Sequence, residues 1–137
     1  MSTKADKGKI KIFVGKRKRA VARAIIKKGT GKVRINGVPI EIYTPEAARM
    51  RIVQTLLLAY PTSTEYDIDV FVKGGGWMGQ AEAASIAIAR ALSSVSKRLK
   101  SVFAEFDKAL ISGDPRRTEP KKFGGPGPRR REQTSYR

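Results

Sequence analysis

Residues 66–92 read YDIDVFVKGGGWMGQAEAASIAIARAL, and a change of period inside them decides the fold. Tyr66, Ile68, Val70 and Val72 recur at every second position, with Asp67 and Asp69 between them, so this stretch predicts a strand with one buried face. After Gly74-Gly75-Gly76 the spacing lengthens to that of a helix, predicted roughly from Gly79 to Leu99. Ala84, Ile88, Ala91 and Val95 form its apolar face with Leu92 adjacent, and the small alanines allow it to lie close against a sheet.

Upstream, Ile10, Ile12 and Val14 alternate with Lys9, Lys11 and Phe13, which predicts another strand. Ala20 to Ile26, the loop Gly29-Thr30-Gly31 and the alternating Lys32-Val33-Arg34-Ile35 read as a hairpin. Asn36-Gly37 is a second turn, since both residues tolerate positive φ. The expectation is an antiparallel meander of three main strands. Thr44-Pro45-Glu46 then opens a helix, with Thr44 as cap and Pro45 in the first helical position. It runs to Tyr60, before Pro61, with Ala48, Ile52, Leu56 and Ala59 on one face and Val53 and Leu57 beside them. A shorter helix is predicted over Val102 to Ile111. Strands first and helices on one face argue α+β. We therefore expect a basic N-terminal arm over 1–9, a globular domain over 10–113 and an extended basic tail over 114–137. The tail holds four prolines, three glycines and only Phe123 and Tyr136 as aromatics, so alone it lacks the apolar surface to order itself.

Charge names the class of partner. The net charge of +17 is split unevenly: residues 1–34 carry 13 Lys and Arg against one acid, residues 35–113 carry 8 against 8, and residues 114–137 carry 8 against 3. A neutral middle between two cationic ends calls for a polyanion to relieve the repulsion. With no cysteine and no histidine, thiolate chemistry, disulfides and the commonest general base and metal ligand are absent. No apolar run approaches the roughly 20 residues of a membrane span, and the start lacks the apolar stretch of a signal peptide, which predicts a cytoplasmic protein.

Candidate contacts follow from these patterns. GKRKRAVARA at 15–24 puts Lys16, Arg17, Lys18, Arg19 and Arg23 where they can bridge phosphates, the bland alternative being a solvated loop. Gly74, Gly75 and Gly76 before a helix permit backbone to approach a phosphate, or serve only as the turn into that helix. No Gly-Lys-Ser/Thr follows, so they form no P-loop. Trp77 reads as a core edge or, less simply, as a base-stacking ring. In the tail Arg116 and Arg117, Lys121 and Lys122, and Arg129, Arg130 and Arg131 are spaced by Pro and Gly, suiting extended chain with guanidinium forks on phosphate. A nuclear-localisation run would account for 129–131 alone. Asp67 and Asp69 share a strand face without a third ligand and read as solvent-facing. No catalytic constellation, metal or cofactor is expected. A small-molecule phosphotransferase lacks visible acid–base residues, and a DNA-binding regulator lacks a recognition helix, the long helix being alanine-rich.

GGGWMGQ, followed by small residues and closing on Arg90-Ala91-Leu92, resembles the signature of the universal family of ribosomal small-subunit protein nine. GKRKRAVARA, Asp114 to Lys122 and the final Ser135-Tyr136-Arg137 are similar to the family as well; that ending looks archaeal or eukaryotic, and the short length and slim N-terminal arm favour archaeal. The resemblance implies a two-layer α/β sandwich, ribosomal S5 domain 2-like, with a left-handed β-α-β crossover against the usual hand. It implies a structural protein of the small-subunit head, bound to the 3′ domain of its rRNA beside neighbouring head proteins. It further implies that the tail reaches the anticodon stem-loop of P-site tRNA through Arg137, with Ser135 and Tyr136 next to it. Neither a membrane nor a small-molecule substrate is implied.

Overall fold

The computed structural model describes residues 10–133; the predicted N-terminal arm and the last four residues lie outside this range. Five strands, β1 (Ile12–Arg17), β2 (Ala20–Lys28), β3 (Val33–Ile35), β4 (Val38–Pro39) and β5 (Tyr66–Lys73), form one sheet in the order β1-β2-β5-β3-β4. Helices α1 (Glu46–Leu58), α2 (Trp77–Val95), α3 (Lys97–Phe106) and α4 (Ala109–Ser112), with short 3-10 turns at Ile40–Ile42 and Thr62–Glu65, complete the described elements. The α2 helix packs on β1, β2 and β5, while α1, α3 and α4 pack on α2. The result is the expected two-layer α+β sandwich.

The meander is interrupted. β1 and β2 form a hairpin with Arg17 opposite Ala20, and β3 and β4 form another across Asn36-Gly37, both at positive φ. β2 and β3 do not pair, because β5 lies between them, antiparallel to β2 and parallel to β3. A hairpin and a connection that steps across one intervening strand both leave two antiparallel strands joined by a short Gly loop. Sequence pattern does not separate them. What holds the step is Asp67, whose carboxylate accepts the backbone N–H groups of Thr30, Gly31 and Lys32 at 2.9–3.1 Å. This corrects the expectation of a solvent-facing carboxylate.

The Lys32 N–H bond, with those from Thr30 and Gly31, holds the Asp67 carboxyl below its usual range against the opposing effect of burial. A lowered folded-state pKa means that its stabilisation is present above the ordinary carboxylate value, about 3.9, and is lost as pH falls through the folded value. Asp67→Ala is therefore expected to melt at lower temperature than the parent at pH 7. The gap should narrow in melts at pH 3 and below.

Four further expectations change. Ile10 and Ile12 are exposed while Phe13 packs on the core and Gly15 is buried, so the second register of β1 faces the helices. β1 has apolar residues on both faces, and alternation alone does not say which is inward. Thr44 makes no cap hydrogen bond; Pro45 occupies the N-cap, and its carbonyl accepts the Arg49 N–H at 3.1 Å. Leu57 and Val95 are exposed, whereas Thr55 is buried with its hydroxyl donating to the Arg51 carbonyl. The long helix ends at Val95, since Ser96 is extended and Ser93 and Ser94 return their hydroxyls to the Ala89 and Ala91 carbonyls. The break lets α3 fold back and bury Leu99 and Phe103, each worth about 1.5–3 kcal/mol.

The core rests on small residues where the layers meet. Ala20, Ala22 and Ala24 on β2 and Ala81, Ala83, Ala84, Ala87 and Ala91 on α2 are wholly buried. Gly15 on β1 faces the same helix. A Cβ built there would stand 2.2 Å from the Ala83 carbonyl oxygen and 2.6 Å from the Ala87 nitrogen.

Candidate nucleic-acid interface

The run Lys16 to Arg19 is divided by the hairpin into three surroundings. Lys16 is an exposed residue of β1, and Lys18 and Arg19 form the turn, Lys18 at φ 55°. Arg17 turns inward: its Nε donates to Glu82 on α2 at 2.6 Å and lies 3.4 Å from Asp114. Its side chain is only 12% exposed, and it braces the fold. Glu82 is 65 residues away, so the run of cations alone does not separate Arg17 from its neighbours.

The glycine loop lies against this turn. Gly74 and Gly75 have φ 80° and 68°, and Cβ atoms there would meet the Arg19 carbonyl at 2.8 Å and the Ala20 nitrogen at 3.0 Å. These two glycines serve the turn. Gly76 differs: it precedes α2 at φ −88°, with nothing within 4 Å of a Cβ. Trp77, at the start of α2, is half exposed instead of forming a core edge. Together, Lys18, Arg19, the Gly76 backbone and Trp77 present a cationic tip beside a helix N-terminus and an aromatic ring.

The root of the tail is fastened near the same end. Asp114 has a side chain only 7% exposed, and takes Arg116 at 2.7 Å together with Arg17. Its hydrogen bonds from Arg116 hold its carboxyl far below the usual range, and Asp114 in turn raises Arg116. Arg90, in the signature triplet, donates from Nη1 to the Val14 carbonyl at 2.6 Å and from Nε to the Ile111 carbonyl at 3.1 Å, a bracing contact that the sequence pattern does not show. It ties β1 to the end of α4, where Gly113 turns at φ 85°. Within the tail Glu119 pairs with Lys122 at 2.8 Å and Arg129 at 3.1 Å, and Arg131 donates to the Phe123 carbonyl. Among the described residues Lys16, Lys18, Arg19, Arg23, Arg117, Lys121 and Arg130 have no carboxylate partner. Ser135, Tyr136 and Arg137 lie outside the described residues. No helix among the described residues is long and apolar enough to cross a membrane.

The sequence model of the family described as ribosomal protein S9/S16 matches residues 15–137, from the residue that spaces β1 from α2 to the end of the tail. The chain belongs to this family. Small ribosomal subunit protein uS9 of Desulfurococcus amylolyticus is 52% identical over 98% of each chain. The proteins of the same name from Pyrobaculum aerophilum and Aeropyrum pernix are 49% and 46% identical, covering 94% of this chain and 92% and 97% of their own. All three relatives are archaeal, in line with the short length and slim N-terminal arm. The match extends across the hairpin tip, the glycine loop and the whole tail.

Proposed function

We propose that the chain is a non-catalytic structural constituent of the small ribosomal subunit, acting in translation within the cytoplasm. In this reading its folded domain is an anchor on rRNA of the head. Lys16, Lys18, Arg19 and Arg23 neutralise phosphates at one end, and Gly76 offers backbone N–H groups of the helix N-terminus to another. The tail continues the same work: Arg117, Lys121 and Arg130 are open to phosphate, while Arg116, Arg129 and Arg131 are oriented by their present partners. Neighbouring head proteins complete the surroundings, and Arg137, with Ser135 and Tyr136, reaches the anticodon stem-loop of P-site tRNA. The observation that carries this reading is the meeting of unpaired cations and the glycine loop at one tip in a member of this family.

Truncation after Arg117 tests it, since the Asp114 clamp is kept. The shortened chain is expected to melt as the parent does and to co-sediment with small subunits less well in rising salt. Subunits carrying it should also retain less P-site tRNA. Unchanged sedimentation and unchanged tRNA retention would remove the tail from the proposed role.

A further inference from the structure

The helices cover one face of the sheet, and no described element covers the other. On that open face β5 presents Asp69, Phe71 and Lys73, and β2 presents Val21, Arg23 and Ile25. The register sets Arg23 directly opposite Phe71 and Val21 opposite Lys73. Phe71 is 55% exposed although it stands on the central strand of the sheet. Val21 and Phe71 floor a hollow of about 600 Å³, rimmed by Arg19, Arg23, Lys73 and Asn36. None of its three cations has a carboxylate partner among the described residues.

We infer that this hollow seats an unpaired nucleotide of RNA, its base stacked on the Phe71 ring and its phosphate held by Arg23 and Lys73. The inference rests on the RNA-binding reading above and adds a second kind of contact to it. An aromatic ring on an open sheet face offers stacking to any base whose face is free, and flanking cations track the backbone. A duplex keeps its base faces covered and would meet only the rim. An apolar protein surface fits poorly, since interface centres are depleted of charge and Arg23 would be buried unpaired beside Phe71. Arg19 belongs both to the hairpin tip and to this rim, so a strand braced on the tip passes directly to Phe71. Asn36 fixes the far wall, its side-chain amide exchanging two hydrogen bonds with the Val72 backbone at 2.8 and 3.1 Å.

The test uses the full chain with two probes, a single-stranded RNA carrying 2-aminopurine and a duplex RNA of the same length. Phe71→Leu keeps an apolar side chain at an exposed site, and an unchanged melting temperature will establish that the fold is kept. It is expected to weaken single-strand binding roughly ten- to a hundredfold and to leave duplex binding unchanged. Phe71→Trp should restore affinity and the stacking-dependent quench of 2-aminopurine. If Phe71→Leu binds both RNAs as the parent does, the seat is overturned while the RNA-binding reading stands. If the parent binds neither RNA, that broader reading fails and the seat with it. Binding of a polyglutamate peptide that Phe71→Leu weakens, with RNA binding unaffected, would assign the face to an acidic protein segment and overturn the proposal.

Discussion

Gly15→Val is expected to abolish the cooperative thermal transition of the domain. Even the single Cβ of alanine would stand 2.2 Å from the Ala83 carbonyl oxygen, and that atom belongs to helix backbone and cannot rotate away. The helix would have to lift from β1, separating Gly15 from a layer of wholly buried alanines. Overpacking a close-packed core costs typically 1–3 kcal/mol, and Gly15→Ala is placed at the upper end of that range, about 3 kcal/mol. Valine adds two methyl groups at the same point, against a total stability for small domains of about 5–15 kcal/mol. Gly76→Ala is the control: with open space and negative φ, it should melt with the parent. Circular dichroism melts of the three variants decide the matter. A Gly15→Val chain that melts like the parent would mean that β1 and α2 do not meet as described. Should Gly76→Ala hold its fold but lose RNA affinity, a ligand occupies the space that the fold leaves open there.

The second large effect is on RNA. Replacing Lys16, Lys18 and Arg19 by glutamine removes three cations without a carboxylate partner and leaves every ion pair given above intact. If each neutralises one phosphate, the slope of log affinity against log salt falls by roughly 2–2.7. Between 50 and 200 mM salt the parent should then lose roughly 15–40-fold more affinity than the variant does. The melting temperature should not fall. Arg17→Ala, in the same run, should behave in the opposite sense. It removes the 2.6 Å charge-assisted bond to Glu82, a class of bond worth about 1.5–3 kcal/mol, and leaves the salt slope nearly untouched. Titrations at several salt concentrations, set beside thermal melts, separate the two behaviours. A salt slope that the triple variant shares with the parent would take the hairpin tip out of the RNA contact.

These two experiments divide along what local pattern can express. β5, the glycine loop, the turn at Asn36-Gly37 and the inward face of Ile68, Val70 and Val72 follow from period and turn chemistry within a few residues. Sheet order does not, because β5 enters between β2 and β3 through pairings made about 40 residues along the chain, such as Ile26 with Ile68. The inward register of β1 is equally hidden, since its buried face carries Gly15 where a large apolar residue would have announced it. The helix break at Ser96 escaped for a related reason. Helical spacing of apolar residues continues into Lys97–Phe106, and only the need to bury Leu99 and Phe103 against α2 turns the chain. In the candidate interface, composition marks the cations but does not sort them. Arg17 and Lys18 are neighbours of like charge, and carboxylates from α2 and the tail root send one inward and leave the other free.

In the role proposed above, the clamp at Asp114 gives assembly a direction in time. With Arg17, Arg116 and Arg90 fixing where the chain leaves the domain, the heading of the tail is a property of the domain, not of the tail. A domain seated correctly on its RNA aims the segment that follows; a domain seated askew misdirects it at once. In that proposed role, docking first and threading second is the productive order.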